Sequence, residues 1–282
     1  MEKTPRIAFF GTPDRAVIAL DQLKHAGTMP ALIVTQPDRP QGRKLVMTAP
    51  LAKSWAIENN ISVLQPDNLA DEAFLSILRA GDFDAFVVVA YGKILRKAVL
   101  DIPKHGCLNL HASLLPRLRG SSPIETAILR DERKTGVTII LMDELMDHGP
   151  ILAQKVVEPA TWPISTSELA TLLVTEGGRL MAETLPRWID GSIKAQGQNH
   201  AEATVTKKII KEDGLMDLSA DPYQNLLKYN AYKGWPSSFF FREMNGKSTR
   251  IVITEATLED GKFIIKKVIP EGRKEISWSE IR

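Results

Sequence analysis

The sequence is short of several things, and each shortage narrows the reading. A single cysteine, Cys107, stands among 282 residues. It cannot close an intramolecular disulfide, so a reducing cytoplasm is the expected compartment. The one cysteine and five histidines show no metal-ligand spacing, and no metal is expected. The first apolar run, Ile7-Ala8-Phe9-Phe10, is too short for a signal-peptide core or a membrane span, so no membrane association is expected. Charge of one sign is also scarce: the net charge is +2. Internal repeats and low-complexity tracts are absent. With 44% apolar and 25% charged residues, disorder, collagen and coiled coil are excluded. Gly11-Thr12-Pro13 follows the first apolar run where a dinucleotide-binding protein carries three spaced glycines. Only one is present, so close approach of a pyrophosphate is not supported, and no Walker-type lysine loop appears.

What is present is the pattern of a globular chain long enough for two domains. The first two-thirds alternate short β-branched runs with amphipathic stretches, which predicts an α/β domain with a mostly parallel sheet. Candidate strands are Arg6–Phe10, Ala31–Gln36, Ile61–Leu64, Ala85–Ala90, Gly106–Leu110, Gly136–Met142 and Ile151–Val157. Ala85–Ala90 is apolar at every position, as a central strand covered on both faces would be. A helix is expected over Asp14–His25, and another begins at Ser165-Thr166-Ser167-Glu168, which has the form of a capping box. Residues 191–202 turn polar and read as a linker between a domain of residues 1–190 and one of 203–282. Beyond it, Thr249–Glu255, Lys262–Val268 and Glu275–Trp278 look like strands of a small β-barrel or sandwich. From Ala203 to Arg282 there are 14 lysines and arginines against 11 acidic residues, so the C-terminal part is the more basic.

Two segments carry candidate chemistry. In Cys107-Leu108-Asn109-Leu110-His111, an amide and an imidazole appear at i and i+2, on one face of a strand and near its carboxyl end. Open α/β sheets place their sites there. The second segment, Asp147-His148-Gly149-Pro150, reads as a sharp turn carrying a carboxylate just after another strand. Asn, His and Asp together suit acyl transfer to an amine. Such transfer needs an oxyanion donor, a proton carrier and a group to orient that carrier. Spacing alone leaves the alternatives open, since Asn109 and Asp147 can be turn residues and His111 a packed histidine. Pro37–Pro50 holds Arg39, Arg43 and Lys44 against Asp38 and reads as an exposed basic loop.

The ordered set Asn109-x-His111-x-Ser113-Leu114-Leu115-Pro116, Arg119-Gly120, Pro123, Gly136-Val137-Thr138 and Asp147 before Gly149 resembles the folate-dependent formyltransferases. Phe10-Gly11-Thr12-Pro13, Thr35-Gln36-Pro37-Asp38-Arg39-Pro40-x-Gly42-Arg43-Lys44 and Val88-Val89-Ala90-Tyr91-Gly92-Lys93-Ile94-Leu95 resemble the branch of that family acting on methionyl-tRNA. So do Lys207-Lys208-Ile209 and Trp235-Pro236. The resemblance implies a Rossmann-like catalytic domain and an OB-like barrel. It implies Asn109, His111 and Asp147 as the catalytic trio. The co-substrate would be 10-formyltetrahydrofolate, held along Tyr91, Ile94, Leu95 and the Ser113-Leu114-Leu115-Pro116 loop. The acceptor would be initiator methionyl-tRNA, gripped through Arg39, Arg43 and Lys44 and bound by a monomer. Alternatives within the same likeness are N-formylation of an aminosugar nucleotide or a purine precursor, a formyl hydrolase, and an inactive tRNA- or folate-binding homologue. The chain departs from the pattern at Ser121-Ser122, at Glu125-Thr126, in its short C-terminal part, and at His148, where Thr or a small residue is usual.

Overall fold

The structure is a computed structural model that describes residues 4–42, 45–244 and 246–281. The chain forms two compact units. One comprises Met1–Arg119, Gly136–Val157 and Thr171–Thr204; the other comprises Gly120–Thr135, Glu158–Ala170 and Val205–Arg282.

The first unit opens with β1 (Ile7–Gly11) and α1 (Asp14–His25), followed by β2 (Leu32–Val34), the short pair β3 (Arg39–Gln41) and β4 (Val46–Thr48), α2 (Leu51–Glu58) and β5 (Ser62–Leu64). It continues through α3 (Glu72–Ala80), β6 (Ala85–Val89), α4 (Lys97–Leu100) and β7 (Cys107–His111). After α5 (Pro123–Leu129), part of the other unit, come β8 (Thr135–Leu141), β9 (Ile151–Val157) and the long α6 (Thr166–Ile189). The sheet order is β5-β2-β1-β6-β7-β8-β9. Neighbours from β5 to β7 pair in parallel. The chain therefore starts in mid-sheet, winds to one edge and returns to build the other, which is the Rossmann-like arrangement. At the reversal, Thr12 Oγ1 and Gln36 Nε2 each donate to Tyr91 O at 3.1 Å, tying the loops after β1, β2 and β6 together.

Hydrophobic alternation explains the layering. β6 is buried at all five positions. Its Ala85, Val87 and Val89 pack with Leu20 and Leu23 of α1 and Met181 and Leu185 of α6. Phe86 and Val88 face Phe74 and Leu78 of α3 instead. Burial of each such side chain contributes roughly 1.5–3 kcal/mol, so the site rests on a rigid floor. Gly11 keeps its place because a Cβ there would lie 2.6 Å from the Ala16 Cβ and 2.8 Å from Val89 O. The glycine serves sheet packing.

The second unit adds α7 (Pro222–Ala231) and an antiparallel sheet in the order of β10 (Phe239–Met244), β11 (Lys247–Glu259), β12 (Lys262–Pro270) and β13 (Ile276–Ser277). Where a small barrel or sandwich was expected, this four-stranded sheet is what the described residues form. Its longest strand is irregular near Glu255, where the pairing with β12 slips register. The capping box at Ser165 is present: Ser165 N donates to Glu168 Oε2 at 3.1 Å and Glu168 N to Ser165 Oγ at 3.4 Å.

Two expectations are corrected. The Pro37–Pro50 stretch is no irregular loop, because β3 and β4 pair antiparallel, Pro40 opposite Met47. A two-stranded ribbon leaves both outer edges free, so proline costs it no ladder bond. The polar stretch expected as a linker lies on the first unit: Ile151 and Gln196 exchange backbone hydrogen bonds at 2.8 Å, and Arg119 N donates to Thr204 O at 2.8 Å.

Candidate active site

β7 supplies the first two groups. Leu108 and Leu110 enter the core beneath α1 and α6, while Cys107 enters the core beneath α3. Alternation puts Asn109 and His111 on the face that carries Cys107, at the carboxyl end of the strand. Asn109 is half-buried, and among the described residues its amide makes no hydrogen bond. Two N–H donors are thus held on a rigid strand with nothing yet to donate to. His111 is 6% exposed. Its Nε2 lies 2.9 Å from Leu118 O, and its Nδ1 lies 3.4 Å from Asp147 Oδ1. A carbonyl oxygen only accepts, so Nε2 carries a proton. The Nδ1 contact becomes a donated hydrogen bond when that nitrogen is protonated as well.

Asp147 reaches His111 by an indirect route. β8 runs antiparallel to β7, with His111 opposite Thr138 and Leu108 opposite Leu141. The loop after β8 therefore leaves beside the amino end of β7, roughly 10 Å from His111 at the usual rise per residue. It must fold back along the strand. Met142 starts it by donating from N to Cys107 O at 2.8 Å and packing against the α3-side core. Asp147 then adopts a left-handed backbone, φ 50°, which aspartate tolerates better than most residues. Gly149 closes the turn where a Cβ would meet Leu141 O at 1.9 Å.

A buried side chain holds this turn. Gln198, 7% exposed, donates from Nε2 to Asp147 O at 2.9 Å and to Gly149 O at 2.7 Å. Its Oε1 accepts from Arg119 Nη2 at 2.6 Å and Nε at 3.1 Å. The same guanidinium faces His200 Nδ1 at 2.8 Å. The His200 ring stacks on His148, centroids 4.1 Å apart, and His148 Nδ1 lies 2.6 Å from Asp143 Oδ2. Desolvation, with the Arg119 guanidinium and the stacked His148 ring alongside, pushes the His200 imidazole below its ordinary value. On the other side of His111, Leu118 N donates to Thr204 Oγ1 at 2.9 Å. The loop between β7 and Leu118 is braced from beneath. Thr138 Oγ1 donates to Ser113 O at 2.6 Å, and Gln154 Nε2 donates to Leu115 O at 2.7 Å.

A family model described as formyl transferase matches residues 5–185. The chain belongs to the formyl transferase family. It is 43% identical over 265 residues to the methionyl-tRNA formyltransferase of Chloroflexus aurantiacus, covering 94% of this chain and 84% of that protein. The solved methionyl-tRNA formyltransferase of Clostridium thermocellum superposes with a TM-score of 0.62 at 17% identity, over 97% of this chain and 99% of that one. The N-formyltransferase of Helicobacter canadensis, solved with folinic acid and dTDP-3-aminofucose, gives 0.63 at 16%, over 97% and 98%. Both structural likenesses bear on the fold alone.

In this formyl transferase fold the other residues singled out from sequence fall in three groups. Tyr91 and Leu95 are 2% exposed and sit in the α3-side core, and Ser113 and Leu115 are 1% and 3% exposed. These four side chains are committed to the fold, whereas Ile94 is exposed and Leu114 and Pro116 are half-buried. Burial pushes the Tyr91 phenol up to about 12. Arg39 is exposed on the ribbon, whereas Arg43 and Lys44 lie outside the described residues. Arg39 also lines a cavity of about 560 Å³ with Thr12, Gln36, Thr48 and Pro50, at the carboxyl ends of β1 and β2. Asp38 is engaged elsewhere, 2.8 Å from Lys53 Nζ, and Gln65 and Lys53 hold its carboxyl below the usual range. Gln198 and Thr204 escaped the sequence reading. They sit in a Gly/Gln/Asn-rich stretch with no apolar period to betray burial.

Proposed function

We propose that this protein transfers the formyl group of 10-formyltetrahydrofolate to the α-amino group of methionine on initiator methionyl-tRNA. The observation that carries the reading is the meeting of His111 and Asp147, 3.4 Å apart and from opposite ends of β7, beside an amide with unused donors. Relatives more than 40% identical bear the corresponding name, and they support the choice of acceptor.

The amine nitrogen attacks the formyl carbon, the new C–N bond forms, and the bond from that carbon to the folate nitrogen breaks. Asn109 Nδ2 donates to the formyl oxygen as negative charge collects there; a donor of this kind contributes on the order of 3 kcal/mol. His111 passes a proton to the departing folate nitrogen through the Nε2–H that donates to Leu118 O before substrate binds. Asp147 orients His111 and, through water, takes the proton the ammonium sheds. No side-chain nucleophile is needed, and the buried Cys107, whose thiol burial pushes well above its ordinary value, stays out of the chemistry. A flat pterin requires apolar walls and backbone hydrogen bonds, which Ile94, Leu114, Pro116 and the neighbouring main chain offer. The ribbon presents Arg39, with Arg43 and Lys44 following in sequence, to acceptor-stem phosphates. Its own carboxylate, Asp38, is neutralised by Lys53 and does not oppose that contact.

Labelled formyl should pass from formylfolate to charged initiator tRNA and not to elongator tRNA. Preferential labelling of an aminosugar nucleotide would replace the acceptor. Free formate without any amine would mark a hydrolase.

A further inference from the structure

The segment from Gln196 to Thr204 touches both neighbours of His111. Gln198 clamps the backbone oxygens of Asp147 and Gly149, and Thr204 receives Leu118 N, whose carbonyl caps His111 Nε2. The Asp147 turn needs such a clamp. It stands far from the end of β8, sits in a left-handed conformation, and presents two carbonyl oxygens to the same donor. Gln198 matches that demand, because its amide donates to both while Arg119 holds its other end with two N–H groups. The Arg119 guanidinium is set in turn by His200, which stacks on the turn's own His148. The ring thus closes on the loop it steadies.

We infer that Gln198 is a positioning residue for formyl transfer, fixing the Asp147 carboxylate against His111 through the backbone of the turn, with Thr204 performing the matching task at Leu118. The inference rests on the roles proposed above for His111 and Asp147. Every hydrogen bond of the Gln198 side chain runs to Arg119, Asp147 or Gly149, so its loss should act on turnover rather than on substrate binding. An amide that merely held the fold would lower the melting temperature and leave the ratio of kcat to KM changes uninformative.

The test is a double-mutant cycle. Gln198→Glu keeps the size and the Arg119 contact but turns an oxygen toward two carbonyls. It should lower kcat about tenfold or more, leave both KM values within about twofold, and cost less than about twofold when added to Asp147→Asn. Thr204→Val should lower kcat in the same manner. An unchanged kcat in Gln198→Glu, or an undiminished loss in the Asp147→Asn background, overturns the inference. Should Gln198→Glu not fold, Gln198→Met, which removes both donors without adding charge, gives the same reading. If Asp147→Asn alone keeps full turnover, it is the proposed catalytic roles that fall, and the cycle reports that separately.

Discussion

A methyl group at Gly149 offers a sharp test of whether the turn carries the chemistry. An ideal Cβ there lies 1.9 Å from Leu141 O and 3.0 Å from Leu141 C, both backbone atoms of β8 that cannot rotate away. The turn must retreat by roughly 1 Å or more before the contact is tolerable, and overpacking of this kind costs about 1–3 kcal/mol. Asp147 is two residues upstream, and its contact with His111 is already 3.4 Å. A shift of that size takes it beyond hydrogen-bond reach. Displacement of a reacting group by about 1 Å can cost about a hundredfold in rate, so Gly149→Ala should cut kcat by that order and lower the melting temperature by several degrees. Gly197→Ala is the matched control. Nothing lies within 4 Å of its Cβ and its φ is ordinary, so it should be neutral or stabilise by about 0.4–1 kcal/mol. Steady-state formyl transfer and thermal melting of both variants decide the matter. Full turnover in Gly149→Ala would refute the claim that the turn positions the carboxylate.

Asn109→Ala, His111→Ala and Asp147→Ala should each reduce turnover at least about a hundredfold while melting stays near that of the parent, and near-normal turnover removes the residue from the mechanism. Arg39→Ala should raise the tRNA KM and flatten its salt dependence; an unchanged salt slope would make the ribbon structural. Burial pushes the phenols of Tyr91 and Tyr232 from 10.0 up to about 12. Both are therefore still protonated when folded at a pH where unfolded tyrosine ionises. Stability is full below pH 10 and falls by roughly 3 kcal/mol per group as pH rises to about 12. Tyr91→Phe removes a buried hydroxyl that has no partner among the described residues. It should leave the neutral-pH melting temperature unchanged or higher and soften the alkaline loss, and destabilisation at pH 7 would contradict the burial argument.

Most of the first unit was legible because its signals are local. β6 declares itself by five consecutive buried apolar residues, and Ser165 to Glu168 by a capping pattern that forms as written. α3 was equally readable in principle. Asp71 Oδ1 accepts from Ala73 N at 2.9 Å, and Phe74, Leu75 and Leu78 follow at helical spacing. α4 and α5, at four and seven residues, are too short to show a period. The basic ribbon was hidden by its prolines, which argue against a central strand and are neutral at an exposed edge.

The proposed members of the site stand out in the sequence and the residues that support them do not, for a physical reason. Asn109 and His111 stand two positions apart on one strand, a spacing that sequence fixes. His111 and Asp147 meet only because β8 turns antiparallel and the following loop doubles back, which no window of sequence contains. The distance the loop must recover is supplied by residues with nothing catalytic about them: a glycine without room for a methyl and a glutamine in a polar stretch. Burial of that glutamine is purely tertiary, since its four hydrogen bonds run to Arg119, Asp147 and Gly149, 49 to 79 positions away in sequence. Candidate groups can therefore be named from their chemistry, while their geometry is set by long-range polar contacts that local pattern cannot reveal. Substitutions at Gly149 and Gln198 should accordingly resemble active-site lesions more than fold lesions, with kcat falling further than stability.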